Sequence, residues 1–140
     1  MYISKIFVTV DNVVIRKVDN QFEILLIKRL KEPFMDCWAL PGGFVDENED
    51  LETAAKRELL EETSIQVNDV LQIGAYGKPF RDPRSHVVSV AFFAEVDKDV
   101  VAKAADDAKD VNWFRINSLP PTAFDHKDII NDVILKFNLL

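Results

Sequence analysis

A single α/β (α+β) domain, with a mixed β-sheet packed between helices, is the fold class that the sequence predicts. Two patterns lead to this prediction. Several short segments are rich in β-branched and aromatic residues and end at turn residues, as strands do. Two other segments repeat apolar residues at helical spacing. Since 140 residues with 48% hydrophobic content suit one compact core, we expect residues 1–140 to form a single domain.

Strands are expected where the apolar segments are short and bounded by polar residues. The first is expected to bend near Asp11 and Asn12. The Pro-Gly-Gly run at 41–43 is a strong turn signal, and the polar stretch 97–110 is expected to be irregular. The predicted strands cover residues 3–15, 22–29, 38–40, 65–75, 86–96 and 111–115.

Two helices are expected between and after these strands. The first spans residues 50–63 and contains no Gly or Pro. The second follows two adjacent prolines and begins near Asp125, whose side chain can cap it. Each repeats apolar residues on one face. These residues are Leu51, Ala54, Ala55 and Leu59 in the first helix and Ile129, Ile130, Val133, Ile134 and Phe137 in the second.

The charge and composition of the chain argue against several classes of function. A net charge of −7 and the absence of any basic run are unfavourable for binding long DNA or RNA. The N-terminus lacks the charged and apolar regions of a signal peptide, and no apolar run is long enough to cross a bilayer. The single cysteine, Cys37, is typical of a reducing cytoplasm. We therefore expect a cytoplasmic protein that binds neither a membrane nor a nucleic acid polymer.

The predicted helix over residues 50–63 carries glutamates on its apolar side. At about 100° per residue, Glu58 and Glu62 fall inside the apolar arc and Glu61 falls at its edge. Like charges four residues apart repel each other, and partial burial raises their pKa values. A solvated charged face is the alternative explanation, but it predicts glutamates opposite the apolar side. A divalent ion resolves the conflict, and oxygen ligands favour Mg²⁺ or Mn²⁺.

The segment from residue 42 to residue 65 matches a known signature. Five residues separate a Gly from a Glu, and seven more lead to Arg-Glu-apolar-any-Glu-Glu. At these positions the chain resembles the Nudix hydrolases. Ser64 departs from the pattern, because the family has glycine there; we expect a small loss of stability, or a helix end without a left-handed residue. The matching residues are Gly43, Glu49, Arg57, Glu58, Leu59, Glu61, Glu62 and Ile65.

The resemblance implies a fold, an activity and a set of site residues. The fold is of the Nudix type, a mixed β-sheet sandwiched between helices. The activity is the attack of water on a diphosphate linked to a nucleoside, with Mg²⁺ or Mn²⁺ as the cofactor. An ion pair between Glu49 and Arg57 orients the ligands. The implied metal ligands are Glu58, Glu61 and Glu62, together with the backbone at Gly42 and Gly43.

The resemblance leaves the general base open. Some family members use a glutamate of the signature, and others use an acidic residue on a later loop. Glu58 is the candidate within the signature, whereas Asp106 and Asp107 are the loop candidates. A solvated acidic loop is the alternative interpretation of the two aspartates. The predicted catalytic residues are Glu58, Arg57, Glu49 and Asp107.

Segments outside the signature bear on the substrate. Arg81-Asp82-Pro83-Arg84, Asp106-Asp107-Ala108 and Ala123-Phe124-Asp125-His126 resemble the bacterial and archaeal ADP-ribose pyrophosphatases of this family. The planar fork of arginine suits bidentate phosphate contacts. Ordinary surface arginines and a plain helix start at residues 125–126 are the alternatives. The predicted substrate-binding residues are Arg29, Arg81, Arg84 and His126.

Three functions are compatible with these features. The first is hydrolysis of ADP-ribose to AMP and ribose 5-phosphate, and the second is removal of oxidised or non-standard nucleoside triphosphates. The third is a non-catalytic ADP-ribose sensor, as in related transcriptional regulators. The signature keeps every charged position, which favours an enzyme over a sensor. The expected partner is a small nucleotide diphosphate, and the resemblance also implies a homodimer.

Overall fold

The computed structural model of the chain describes residues 2–140. Within them a seven-stranded sheet is accompanied by two helices. The strands are β1 (Ile6–Val18), β2 (Gln21–Arg29), β3 (Trp38–Ala39), β4 (Gly42–Phe44), β5 (Leu71–Tyr76), β6 (His86–Glu95) and β7 (Ala108–Arg115), and the helices are α1 (Leu51–Thr63) and α2 (His126–Phe137).

The sheet is mixed and has the order β3-β2-β1-β6-β5, with β4 paired to β1 and β7 paired to β2. β1 runs parallel to β6, whereas its other edge is shared by two antiparallel partners. β2 pairs with the end of β1, and β4 pairs with Thr9, Val10 and Asp11 near its middle. This division places the short strand β4 directly beside Asp11, at the point where the functional site forms.

One helix covers each face of the sheet. Val13 and Ile15 pack with apolar residues of α2, including Ile129 and Ile130. Val14, which points to the opposite face, packs with residues of α1. Because both faces are covered, β1 is buried without interruption from Thr9 to Ile15. The predicted α/β (α+β) fold, with its sheet sandwiched between helices, is therefore confirmed.

Helix α1 begins and ends with residues that stabilise its termini. The Asp50 carboxylate accepts a hydrogen bond from the backbone N–H of Glu52 at 3.2 Å. At the other end Ser64 has φ 63° and donates its backbone N–H to Leu60. The left-handed residue that the family glycine would provide is thus present, and a serine adopts it. The predicted exit without a left-handed residue is wrong.

Replacing Ser64 with glycine is expected to raise the free energy of unfolding by about 0.5–1 kcal/mol, because glycine adopts positive φ without a steric penalty. The loss of the exposed hydrogen bond from Ser64 Oγ to the Lys103 carbonyl offsets part of this gain. Urea denaturation of both proteins measures the difference. An unchanged or lower midpoint for Ser64→Gly would show that the serine contacts outweigh the backbone strain.

Several predicted element boundaries are wrong. The first strand, β1, covers Ile6–Val18 instead of residues 3–15. Residues 65–70 are irregular, because the turn-forming residues Asn68 and Asp69 interrupt the predicted strand 65–75. The Pro-Gly-Gly run leads into β4 instead of forming only a turn, since β1 offers a free edge. Strand β7 begins at Ala108 rather than at residue 111.

The capping prediction for Asp125 is also wrong. Asp125 occupies the N-cap position of α2, but its side chain makes no capping hydrogen bond. Its carboxylate binds Arg81 instead. In residues 2–140 neither helix is long and apolar enough to cross a membrane.

Candidate active site

A cleft of about 360 Å³ opens between α1, the start of α2 and residues 40–44, which lead into and include β4 and are called the β4 loop below. Both acidic and basic side chains line this cleft. Phe44 and Phe124 contribute aromatic surface. Its charged lining residues are Asp11, Asp46, Glu58, Glu62, Asp82 and Asp107, with Arg29, Lys31, Glu32, Arg81 and Arg84.

Helix α1 presents its glutamates with the phase that the periodicity predicted. Glu62 is buried, with 6% of its surface exposed, and the Glu58 side chain is 14% exposed. Glu61 lies at the edge, where 44% of its side chain is exposed, and Leu60 points to solvent. Two carboxylates therefore line the cleft from the buried side of a helix, which a solvated charged face does not explain.

Arg57 binds the acidic side chains that surround it. Its Nε donates to Glu49 Oε2 at 2.6 Å, and its Nη1 donates to Glu58 at 2.8 Å and to Glu61 at 3.2 Å. The hydrogen bonds from Arg57 lower the pKa of the Glu49 carboxyl to about 2. Arg57 and Glu49 do not line the cleft, and they form a support that holds the orientation of Glu58. Glu61 is not among the lining residues either, but its carboxylate is exposed and lies beside Arg57.

Glu62 faces the β4 loop at the bottom of the cleft. Its Oε1 accepts the backbone N–H of Gly42 at 2.7 Å. Burial raises the pKa of the Glu62 carboxyl to about 8, and the neighbouring Glu58 and Asp11 add to the effect. Burial also raises the pKa of Glu58, against the opposing effect of Arg57. With a pKa of about 8, the Glu62 carboxyl is mostly protonated at neutral pH, and a bound cation would stabilise its charged form.

The glycines of β4 lie where any side chain would collide with the site. A Cβ atom on Gly43 would lie 2.6 Å from the carboxyl carbon and both oxygens of Glu58. A Cβ atom on Gly42 would lie 2.1 Å from the Val10 carbonyl oxygen and 2.6 Å from Asp11 Oδ1. Only glycine lets the β4 backbone approach both the sheet and the Glu58 carboxylate.

These donors fit a hard divalent ion. In residues 2–140 no three His, Cys, Asp or Glu side chains converge closely enough to hold a metal by themselves. Mg²⁺ usually takes one or two carboxylates and completes its shell with water and substrate oxygens, so an open set of this kind suits it. The buried oxygens of Glu58 and Glu62 beside the glycine backbone provide such a set.

The metal-free protein is expected to lose stability as pH rises from about 4.5 to about 8. The folded Glu62 holds its proton up to a pKa of about 8, whereas unfolded Glu ionises near 4.5, so the folded state binds more protons in this window. Mg²⁺ is expected to restore stability most at the alkaline end, because it binds the ionised form. Calorimetry with EDTA or Mg²⁺ between pH 5 and 8.5 measures both effects. A melting temperature that rises from pH 5 to pH 8 in EDTA would contradict this assignment.

The predicted substrate-binding arginines line the cleft but differ in how many of their hydrogen-bond donors are already bound to protein. Arg81 is committed to protein, since its Nε and Nη2 donate to Asp125 at 2.9 and 2.6 Å and its side chain is 4% exposed. Arg84 binds Asp82 through Nε and Nη2 at 3.0 and 2.7 Å. Among residues 2–140 Arg29 donates to the Pro33 carbonyl through Nε only, which leaves its two Nη atoms for a ligand.

The remaining predicted residues lie on two walls. Asp107 lines the cleft and pairs with Lys31 at 3.3 Å, with both side chains largely exposed. His126 is 3% exposed at the cleft floor, where Nδ1 accepts the backbone N–H of Leu40 at 3.0 Å. Its Nε2 lies 3.4 Å from Asp11 Oδ1. The structure thus brings Asp107 and His126 to the same cleft as the α1 glutamates.

Asp11 and Phe124 line the cleft but were not predicted as site residues from the sequence. Asp11 is a buried carboxylate that accepts a short hydrogen bond from Ser89 Oγ. Its signal was an acid inside an apolar strand, which we interpreted as a bend. Phe124 has φ 54° and lies with its ring 5.1 Å from Arg29 Cζ. No sequence pattern indicated this conformation, because positive φ in a bulky residue depends on the surrounding structure.

Comparison with known proteins agrees with the fold. A NUDIX domain model matches residues 7–133. The chain is 46% identical over 115 residues to an ADP-ribose pyrophosphatase of Methanocaldococcus jannaschii, covering 82% of this chain and 68% of that protein. It is 33% identical to an ADPR responsive transcriptional repressor of Acinetobacter baylyi, covering 93% of this chain but only 54% of the repressor.

A solved structure gives the same result. The NUDIX domain of Shewanella oneidensis NrtR, complexed with ADP ribose, superposes with a TM-score of 0.90 at 31% identity. The match covers 96% of this chain and 90% of that domain. The fold, the glutamates of α1 and these relatives lead to one conclusion: the chain belongs to the Nudix family of hydrolases.

Proposed function

We propose that the protein hydrolyses ADP-ribose to AMP and ribose 5-phosphate, with Mg²⁺ or Mn²⁺ as its cofactor. The observation that carries the proposal is the cleft itself. It brings the buried carboxylate of Glu62 and the partly buried carboxylate of Glu58 into one cleft with Arg29, whose Nη atoms are available to a ligand. Carboxylates that hold divalent ions beside a free guanidinium match the charge of a diphosphate.

Each wall of the cleft has a separate role in this proposal. Glu58, Glu61, Glu62 and the backbone at Gly42 hold the divalent ions, and Arg57 with Glu49 keeps the glutamates in place. The ions, when bound, neutralise the diphosphate and lower the pKa of the attacking water. Arg29 and Arg84 contact the phosphates. Arg81 and His126 do not contact the substrate; they hold Asp125 and the backbone of Leu40 in place.

The reaction consumes one water. Its oxygen bonds to one phosphorus as the bond from that phosphorus to the bridging oxygen breaks, and the bridging oxygen leaves with the other phosphate. A base accepts the proton of the water. The geometry favours Glu58 for this role, because its carboxylate is partly buried beside the proposed ions. Asp107 remains the candidate on the opposite wall; a comparison of Asp107→Asn with Glu58→Gln separates the two.

Two lines of support single out ADP-ribose among nucleotides. The M. jannaschii relative is an ADP-ribose pyrophosphatase, and the NrtR domain was solved with ADP ribose. Furthermore, the Arg81–Arg84 turn and the start of α2, which resemble that subgroup in sequence, meet at the cleft through the Arg81–Asp125 pair.

Turnover on a substrate panel tests the proposal. Purified protein is incubated with Mg²⁺ or Mn²⁺ and ADP-ribose, ADP-glucose, NADH or an oxidised deoxyguanosine triphosphate, and the products are separated by chromatography. We expect AMP and ribose 5-phosphate from ADP-ribose at the highest kcat/KM. A higher kcat/KM on the oxidised triphosphate would overturn the substrate while leaving the diphosphate chemistry in place.

A non-catalytic ADP-ribose sensor is the second candidate, and the similarity to the A. baylyi repressor favours it. The two candidates differ in one observable. A sensor binds ADP-ribose in calorimetry and releases no AMP with any divalent ion, whereas the enzyme releases AMP. The homodimer and the cytoplasmic location stay predictions from the sequence.

A further inference from the structure

Three consecutive residues at the start of α2, Phe124, Asp125 and His126, each contact a different part of the cleft. Phe124 contacts Arg29 and Arg84, Asp125 binds Arg81, and His126 binds the backbone of Leu40. We name these residues the anchor segment. We propose that the anchor segment is a positioning element: His126 fixes the backbone of the metal-binding β4 loop, and Phe124 fixes the phosphate-binding arginines. The inference rests on the proposed function and extends it, because it assigns a role to residues that were expected to bind substrate or only to start a helix.

His126 holds the entrance to the β4 loop. Its Nδ1 accepts the backbone N–H of Leu40, two residues before Gly42. Since this nitrogen accepts, the neutral ring carries its proton on Nε2, which faces Asp11 at 3.4 Å. His126 is 3% exposed and both nitrogens face protein atoms, so the ring acts through the loop and not by touching substrate.

The loop is held from several directions beyond this one. The Asn12 backbone N–H donates to the Pro41 carbonyl at 2.8 Å, and its side chain donates to the same carbonyl and to Ala55. Glu62 accepts the Gly42 N–H. His126 ties this loop to α2 by a hydrogen bond, and Leu40 belongs to the same apolar cluster as residues of α2, which packs on the other face of the sheet from α1. The backbone of the β4 loop is therefore fixed relative to both α1 and α2.

Phe124 holds the opposite wall. Its ring lies 5.1 Å from Arg29 Cζ and 5.6 Å from Arg84 Cζ, within the range of about 6 Å for a cation–π contact. The residue adopts φ 54°, which is uncommon for a bulky side chain and persists only where the surroundings enforce it. Next to it, Asp125 binds Arg81 through two hydrogen bonds. The anchor segment thus contacts three arginines and the β4 loop.

The covalent geometry of two substitutions separates the contacts of His126. In asparagine, Oδ1 is attached to Cγ as Nδ1 is in histidine, so His126→Asn keeps the acceptor for Leu40 and loses the contact with Asp11. In glutamine, Nε2 takes the place of the ring Nε2, so His126→Gln keeps the contact with Asp11 and loses the acceptor. Lys127→Ala, at the next and exposed position of α2, is the control for helix perturbation.

The first measurement is direct Mn²⁺ binding by calorimetry or electron paramagnetic resonance, without substrate. Loss of supporting contacts around metal ligands typically weakens metal binding by about 10–100-fold, and we expect this loss in His126→Gln. His126→Asn and Lys127→Ala are expected to stay near the wild-type affinity. Wild-type affinity in His126→Gln would overturn the proposal, as would equal losses in both His126 variants.

The second measurement uses Phe124→Leu, which keeps bulk and removes the aromatic face. We expect KM for ADP-ribose to rise about 30-fold, because two cation–π contacts of about 1 kcal/mol each are lost, with Mn²⁺ affinity unchanged. An unchanged KM would overturn the role of Phe124, and this arm alone decides the proposal if His126→Gln does not fold. If wild type binds Mn²⁺ but does not cleave ADP-ribose, the proposed function fails, and the Mn²⁺ affinities still decide the positioning role.

Discussion

Replacing Glu62 with glutamine is expected to lower kcat on ADP-ribose about 1000-fold, because the loss of a metal-binding charge removes several kcal/mol of transition-state stabilisation. The substitution changes little in the fold. Glutamine has the same shape, and its amide oxygen can still accept the Gly42 N–H that Glu62 accepts at 2.7 Å. The activity loss therefore reports on charge and not on packing.

The same substitution is expected to stabilise the metal-free protein. Glu62 is buried beside Glu58 and Asp11, and burial raises the pKa of its carboxyl to about 8. A neutral amide avoids the cost of ionising that group, so the melting temperature in EDTA at pH 8 is expected to rise above that of wild type. Higher stability together with lost activity distinguishes a metal ligand from a structural glutamate.

A matched control lies on the same helix. Glu52 is exposed in the first turn of α1, so Glu52→Gln is expected to leave kcat and Mn²⁺ affinity unchanged. Steady-state kinetics with Mg²⁺, calorimetric melting in EDTA and Mn²⁺ titration are measured for all three proteins. Full activity of Glu62→Gln with Mg²⁺ would remove Glu62 from the set of metal ligands.

Replacing Gly43 with alanine is expected to lower kcat about 100-fold with little change in stability. The new Cβ atom would lie 2.6 Å from the Glu58 carboxyl group, which must move. The atoms in the way are the end of a side chain, so the fold can adjust. A displacement of about 1 Å in a site that positions reacting groups costs on the order of 100-fold in rate.

Two other glycines serve as controls for this result. Gly74 has no heavy atom within 4 Å of an added Cβ, so Gly74→Ala is expected to leave kcat unchanged. Gly42→Ala places its Cβ atom 2.1 Å from the Val10 backbone oxygen, so the strand pair itself must shift, and we expect lower stability as well as lower activity. Equal activity of Gly43→Ala and Gly74→Ala would contradict the close approach of Glu58 to the β4 loop.

The carboxylate wall of the site could be predicted because it depends on one helix. Helical geometry fixes where Glu58, Glu62 and Leu60 point as soon as the apolar residues of α1 are recognised. Burial of Glu62 and exposure of Leu60 follow that phase. The sheet core was also predictable, since β1 and β6 are rich in β-branched and other apolar residues, which favour strands.

The contacts among the remaining site residues could not be predicted, because they join distant segments. Arg81 was expected to bind substrate and Asp125 to cap α2, but they bind each other across 44 positions of the chain. Asp11 was interpreted as a bend, whereas it is a buried carboxylate between Ser89 and His126. Which polar groups pair is decided by the packing of β1, β6 and α2, and no local pattern in the sequence records it.

The strand β4 illustrates an intermediate case. The Pro-Gly-Gly run indicated a turn, and the chain does change direction there. However, the two glycines also pair with Val10 and Asp11 of β1, because that part of the β1 edge is not taken by β2. Strand pairing depends on an available edge as much as on residue preference. The functional consequence is the approach of the glycine backbone to Glu58.

A metal titration decides whether this cleft cleaves ADP-ribose with the help of divalent ions. Wild-type protein is freed of metal with a chelator, and the initial rate of AMP release from ADP-ribose is measured as Mg²⁺ is added back. We predict no turnover before addition, saturable activation by Mg²⁺, and the same curve with a far lower maximum for Glu62→Gln. Release of AMP that is undiminished in the chelator, or its absence at every Mg²⁺ concentration, would contradict the account.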